Sequence, residues 1–374
     1  MVLNITVAID HSRESAFEAG LRYASLDRPG ITRQRTGAEW LFRNPDGEVI
    51  RDERVLTRIK SIVIPPAWTE VWICTDPRGH IQATGFDQRG RKQYRYHPKW
   101  RTQRDETKFG HMIAFAEALP AIRARVEQDL SLRGMPREKA LATVVRLLET
   151  SLIRVGNETY AKENGSFGLT TFRNRHVRVE GSNIHFAFRG KSGVKHAIDV
   201  RDRRLAKLVR RMRDLPGYRL FQYLDESGAP QEIDSGDVNA YLHQIAGGEF
   251  SAKDFRTWAG TVMCAVMLSE CTGWETESQA KRHVVEAIKQ VAASLGNTPA
   301  VSRKAYIHPA IIEAFLSGAT LNQLLDRTSE AIIEEHGALK PEEKAVLALL
   351  QERGKTLVVD VPAQKRRKRP PGNE

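Results

Sequence analysis

The chain has 374 residues and carries 58 Lys and Arg against 46 Asp and Glu, a net charge of +12. A hydrophobic content of 41% is enough for a true core, which excludes a collagenous or wholly disordered chain. The three cysteines, Cys74, Cys264 and Cys271, are odd in number and lack metal-ligand spacing, which excludes a disulfide scaffold and a zinc module.

The length predicts two or three domains. The N-terminal segment, MVLNITVAID, has no basic region followed by an apolar core, so a reducing, intracellular location is expected. Short strands come first. Val71 to Thr75, His80 to Phe86 and Arg91 to Tyr96 are rich in β-branched and aromatic residues. Turns at Asp76-Pro77-Arg78-Gly79 and Gln88-Arg89-Gly90 separate them. After Arg104 the apolar period becomes helical, over Met112–Val126, Lys139–Ile153, Asp202–Met212, Val238–Ile245, Ala252–Leu268 and Ser278–Leu295. A β interlude, Val177–Val179, Ile184–Phe188 and Val194–Val200, interrupts the helices. The apolar stretch near Ala259–Leu268 is about half of the roughly 20 residues a membrane span needs, so no membrane role is expected. The chain ends in Lys365-Arg366-Arg367-Lys368-Arg369-Pro370-Pro371, which reads as a disordered basic tail. The expected domains are 1–105, β-rich; 106–361, mainly helical; and the tail, 362–374.

The net charge points to a polyanionic partner, nucleic acid first. Basic residues concentrate in Phe86–Arg104, where Arg91, Lys92, Arg95 and Arg104 interleave with Tyr94, Tyr96 and Trp100. On a strand, Arg91, Gln93 and Arg95 face one way and Lys92, Tyr94 and Tyr96 the other. Such a ribbon can place some side chains on phosphates and others at base edges. A second cluster, Arg201 to Arg213, has helical spacing and reads as a solvated face.

Five residues could carry chemistry. Arg154 closes an apolar helix, where burial demands an anion. Lys191 sits between glycines in Arg189-Gly190-Lys191-Ser192-Gly193, at the tip of a tight hairpin turn. Arg256 lies at the start of an apolar helix, three residues after Lys253, so both can share one face. Helix starts favour anions, so cations there suggest an external phosphate. Asn297 and Tyr306 follow in Gly296-Asn297-Thr298-Pro299-Ala300-Val301-Ser302-Arg303-Lys304-Ala305-Tyr306. Taken singly, each residue also has an ordinary structural reading: a helix-end or hairpin cation, or a core tyrosine. Together they match phosphoryl transfer. Two arginines and an amide hold the oxygens, a tyrosine attacks and a lysine protonates the leaving oxygen. No carboxylate cluster demands a catalytic metal.

These motifs resemble those of the type IB DNA topoisomerases, in particular the small poxvirus-like bacterial branch. The resemblance runs from Ile64-Pro65-Pro66-Ala67-Trp68 through Gly90-Arg91-Lys92-Gln93-Tyr94-Arg95-Tyr96 to Ser302-Arg303-Lys304-Ala305-Tyr306. Arg154, Lys191, Arg256 and Tyr306 stand in the family's order and at its intervals. The resemblance implies an α+β fold: a small, mostly β N-terminal domain and a larger helical catalytic domain with a β-hairpin insert, forming a C-shaped clamp. It implies relaxation of positive and negative supercoils through a 3′-phosphotyrosyl intermediate at Tyr306, without ATP, cofactor or obligatory metal. Arg154 and Arg256 would clamp the nonbridging oxygens, and Lys191 would be the general acid. Lys253, Tyr160, Arg91, Tyr94, Tyr96 and Arg104 would contact DNA. The implied partner is double-stranded DNA, bound by a monomer in the cytoplasm at the nucleoid. Asn297 stands where the poxviral and eukaryotic enzymes have histidine; it can donate a hydrogen bond but carries no charge.

Two other readings compete. A tyrosine recombinase-like strand transferase usually has His-x-x-Arg at the second arginine, whereas this chain has Lys253-Asp254-Phe255-Arg256. A non-catalytic basic DNA clamp would need the ribbon but neither Tyr306 nor Lys191.

Overall fold

The computed structural model describes residue 13 and residues 16–37, 39–88, 90, 92–271, 274–318 and 339–359, with backbone only for 101–109 and 354–359. Arg91, the side chain of Arg104 and the tail from 362 lie outside the described residues. The chain divides into two compact units between Phe109 and Gly110.

In the first unit, β1 (Ile31–Thr36), β2 (Glu39–Arg43), β3 (Thr69–Ile73), β4 (Ile81–Phe86) and β5 (Lys92–Tyr96) form one sheet, in the order β2-β1-β3-β4-β5. All neighbours are antiparallel. Helix α1 (Glu53–Ser61) is capped by Asp52, whose carboxylate accepts from the Arg54 N–H. Its Ile59 joins Ile31, Val71, Ile73 and Ala83 in the core of this unit. The sequence pattern shows the last three strands but neither β1, β2 nor α1. Charged residues dilute the alternation in ITRQRT, and ERVLTRIKS, although Val55, Leu56 and Ile59 keep helical spacing, is too short to stand out.

Helix α2 (Pro98–Leu130) contains the division between the units. It begins at Pro98, well before Met112, a start the sequence pattern misses because the first turns carry no apolar stripe. The second unit continues with α3 (Arg137–Ser151), α4 (Glu158–Asn164), β6 (Val177–Glu180), β7 (Asn183–Arg189), β8 (Lys195–Arg201) and α5 (Arg203–Arg213). A two-stranded ribbon follows, β9 (Gln222–Leu224) and β10 (Pro230–Glu232), and then α6 (Ser235–Ala246), α7 (Ala252–Ser269) and α8 (Glu277–Leu295). The final helices are α9 (Pro299–Ala305), α10 (Pro309–Leu316) and α11 (Pro341–Val359). Strands β6-β7-β8 form an antiparallel sheet.

The fold is α+β, with an N-terminal sheet and a mostly helical remainder. α7 is its hub. Phe255, Arg256, Trp258, Thr261, Val262, Cys264, Ala265 and Leu268 are all buried, so apolar contact surrounds the helix. It packs against α3, α6, α8, α10 and α11. By contrast, α5 buries Leu205, Ala206, Leu208, Val209 and Met212 and leaves Arg203, Lys207 and Arg211 in solvent, an ordinary amphipathic helix. Among the described residues no helix is long and apolar enough to cross a membrane.

Candidate active site

The first turn of α7 is set by its cap: the Asp254 carboxylate accepts from the N–H and hydroxyl of Ser251. Two residues later Arg256 turns inward and is only 4% exposed. Its Nη1 donates to the Leu152 carbonyl, and its Nη2 donates to the Leu295 carbonyl at 2.7 Å. Leu152 caps α3 in the left-handed conformation, with φ 55°, and Leu295 is the last residue of α8. The guanidinium therefore lies against the carbonyl ends of two helices, where unsatisfied acceptors and negative dipole ends favour a cation. It does not serve the start of its own helix. Lys253 is exposed, so the two cations do not share one environment.

Arg154 lies beyond α3 rather than closing it, since the helix ends at Ser151 and Leu152 turns the chain away. The segment that follows is pinned from the side: Leu169 N–H donates to the Arg154 carbonyl at 2.9 Å. Nearby, Phe167 N–H donates to the Arg189 carbonyl at 2.8 Å, which ties the same segment to the Lys191 turn. Arg154 Nη2 donates to Asn297 Oδ1 at 2.5 Å. Asn297 is delivered by the end of α8, where Gly296 adopts φ 58°, a left-handed cap that suits glycine. With its oxygen occupied, the amide is oriented, and Nδ2 is a buried donor without a partner among the described residues. Arg256 Nε is a second such donor.

Tyr306 follows the last turn of α9, which starts at the Thr298 cap and Pro299. Its carbonyl accepts from Thr261 Oγ1 of α7 at 3.3 Å. A Cβ on Gly260 would lie 2.7 Å from that carbonyl, so α7 presents glycine where the Tyr306 backbone crosses it. The tyrosine ring centroid is 5.5 Å from Arg256 Cζ. Lys191 is exposed on the turn between β7 and β8, which Gly190 N–H closes by donating to the Val194 carbonyl at 2.7 Å. Arg154, Arg256, Asn297 and Tyr306 thus form one cluster, and the turn carrying Lys191 is tied to the Arg154 segment.

The charge balance of the cluster is unusual. Burial pushes the Arg154 pKa down, with Tyr306 opposing. Burial and then the Arg154 charge push Arg256 down to about 10, again against Tyr306. Neither guanidinium pairs with a carboxylate among the described residues. Two adjacent cations, one buried and one half-buried, with spare donors suit an anion carrying several oxygens. Among the described residues no group of three or more His, Cys, Asp or Glu could hold a metal ion.

His196 on β8 also belongs to this cluster, and the sequence reading missed it. Burial, then Arg154, then Arg256 lower its pKa. A single histidine on a short strand has no spacing signal; its only mark is the pair of glycines, Gly190 and Gly296, that make room for it.

The remaining sequence candidates are spread over both units. Tyr160 on α4 is 60% exposed. Tyr94 and Tyr96 stack on one face of β5 at 5.9 Å, and Tyr96 also packs beside Ala16, Leu21 and Trp100. Arg95, on the other face, donates to the Val63 carbonyl at 2.8 Å and lies over Trp68, a structural engagement.

Residues 97–330 match the family model for the eukaryotic DNA topoisomerase I catalytic core, and residues 39–87 match the bacterial DNA topoisomerase IB N-terminal domain. The chain belongs to the type IB DNA topoisomerase family. The matched core contains Arg154, Lys191, Arg256, Asn297 and Tyr306. A relative from Acanthamoeba polyphaga mimivirus, DNA topoisomerase 1B, is 31% identical, over 76% of this chain and 87% of its own length. DNA topoisomerase 1B of vaccinia virus (strain Copenhagen) is 26% identical, over 72% of this chain and 82% of its own. DNA topoisomerase I of monkeypox virus shows the same identity and coverage.

Proposed function

We propose that this type IB family member relaxes supercoiled duplex DNA, of either sign, by cutting and resealing one strand through Tyr306. The observation that carries the reading is the arginine pair beside the Tyr306 ring, Arg256 buried and Arg154 half-buried, which has no carboxylate partner among the described residues. A scissile phosphodiester would supply the missing anion. Arg154 and Arg256 neutralise its nonbridging oxygens, with Arg256 Nε and Asn297 Nδ2 as the waiting donors.

Tyr306 gives its phenol proton to water, and Oη attacks phosphorus in line with the 5′ oxygen. The phosphorus–O5′ bond breaks, the DNA 3′ end becomes a phosphotyrosyl ester, and Lys191 gives its proton to the departing oxygen. The freed strand rotates about its intact partner. The 5′ hydroxyl then returns its proton to Lys191 and attacks the ester, and Tyr306 leaves as phenolate and regains its proton from water. Bond count and charge are restored, so no nucleotide triphosphate is consumed. Asn297 stabilises the transition state as a neutral donor and moves no proton.

Both units contact the duplex in this reading, as a monomeric clamp, with residues 1–105 as the DNA-reading domain and 106–361 as the catalytic domain including the β7–β8 hairpin. Tyr94, Tyr96, Arg91 and Arg104 serve the first domain, and Lys253 and Tyr160 contact phosphates in the second. The tail, 362–374, adds salt-sensitive affinity. The enzyme works in the cytoplasm, at the nucleoid. The test is relaxation of positively and negatively supercoiled plasmid, with EDTA present and ATP absent. Wild type relaxes both, and Tyr306→Phe binds duplex but relaxes neither. Relaxation by Tyr306→Phe removes the nucleophile assignment; inactivity of the wild type removes the reading.

A further inference from the structure

The imidazole of His196 has no part in the chemistry above, yet it touches two of the turns that deliver it. The ring stacks on Phe188, with centroids 5.0 Å apart and planes 18° apart. Its edges meet two glycines, and each directly precedes a functional side chain: Gly190 before Lys191, Gly296 before Asn297. A methyl on Gly190 would lie 2.7 Å from ring atoms Cδ2 and Nε2, and one on Gly296 would overlap Cε1. The ring therefore fills the space between the Lys191 turn and the end of α8. The charges that act on it are cationic, those of Arg154 and then Arg256. Burial and the two arginines keep the imidazole below its ordinary titration range, so it packs uncharged at neutral pH.

We propose that His196 is a positioning residue for strand cleavage, a flat plate wedged between Gly190 and Gly296 that fixes the Lys191 turn relative to the Arg154–Asn297 pair. The inference rests on Lys191 as the proton donor assigned above. Lys191 is exposed on a turn whose next two residues, Ser192 and Gly193, both have positive φ, so the turn itself gives the ammonium little lateral support. A misplacement of about 1 Å in such a group is enough to cost roughly 100-fold in rate. Asn297 keeps its own hydrogen bond from Arg154 at 2.5 Å, so loss of the ring should fall chiefly on protonation of the 5′ oxygen.

The test is single-turnover cleavage of a duplex carrying either the natural 5′ oxygen or a bridging 5′ sulfur, which leaves without a proton. Wild type, His196→Ala, His196→Phe and Lys191→Ala are compared at equal DNA occupancy. His196→Ala should slow the oxygen substrate by about 10–100-fold and recover most of that loss with sulfur. His196→Phe keeps a flat ring on Phe188 and should stay within a few-fold of wild type on both. A second arm reads the contact itself: Gly190→Ala should impair the wild type but cost far less in the His196→Ala background. Equal slowing of His196→Ala on both substrates, no slowing, or additive effects of Gly190→Ala and His196→Ala would overturn the wedge. If Lys191→Ala gains nothing from sulfur while Tyr306 still traps DNA, the acid assignment fails, and the Gly190–His196 cycle alone then decides whether the wedge exists.

Discussion

Two buried arginines in the helical unit meet opposite surroundings. Arg123 on α2 donates to Glu343 Oε1 and Oε2, at 2.8 Å each, and to Glu149 Oε1 at 2.6 Å. Glu343 also accepts from Trp258 Nε1 at 3.2 Å, so α2, α7 and α11 are joined by one neutralised network. Burial works against the Arg123 charge, but the two carboxylates prevail and its pKa is raised. Arg256, on the same helix as Trp258, donates to two carbonyl oxygens and has no carboxylate partner among the described residues; burial and then the Arg154 charge lower its pKa, against Tyr306. Carbonyls hold the guanidinium in place without cancelling its charge. The first arrangement fastens helices together, while the second leaves a positive site, the one proposed to take the scissile phosphate.

Removing each arginine separates these roles most sharply. Arg256→Ala should slow single-turnover cleavage by about 10²–10³-fold, as when one preorganised oxyanion donor is lost. Arg123→Ala should leave the cleavage rate of folded protein intact but cost about 3–5 kcal/mol in urea unfolding, because Glu343 and Glu149 lose their counter-charge. A large cleavage defect in folded Arg123→Ala would erase the distinction. Converting the second environment into the first is the next step down. Asn297→Asp places a carboxylate on Arg154; cleavage should drop by roughly 100-fold while unfolding stability rises by about 1–2 kcal/mol. A gain in activity would contradict the anion-receptor account.

The smallest effect is in acid. Burial raises the Glu343 pKa, but hydrogen bonds from Arg123 and the Lys340 N–H, the Arg123 charge and Trp258 together bring it below 4.5. A carboxylate depressed in the folded state stabilises the protein above its unfolded pKa and ceases to do so as pH falls through the folded one. Glu343→Gln should therefore be less stable than wild type at pH 7, with the gap closing below about pH 4.5 in acid unfolding. A gap that persists unchanged at pH 2 would assign the loss to packing.

The helices α3, α5, α6, α7 and α8 and the strands β3 to β8 were legible because their apolar periods are strong. α1, α4 and α9 were not, being short and polar, with caps as their chief signals. Arg154, Arg256, Asn297 and Tyr306 could be picked out by residue type and order, but not their wiring. That Arg256 would rest on the carbonyls of Leu152 and Leu295 depends on two helix ends far apart in the chain. His196 was invisible for the same reason: its partners, Gly190 and Gly296, are brought together only by the fold.

The central claim is that the uncompensated arginine pair serves phosphoryl transfer to Tyr306. The most direct measurement traps the covalent complex with detergent on labelled duplex, digests it, and maps the peptide and the DNA end. The account predicts one labelled peptide containing Tyr306, joined to a 3′ phosphate, and none from Tyr306→Phe. Label on another residue, or a 5′ linkage, would contradict it.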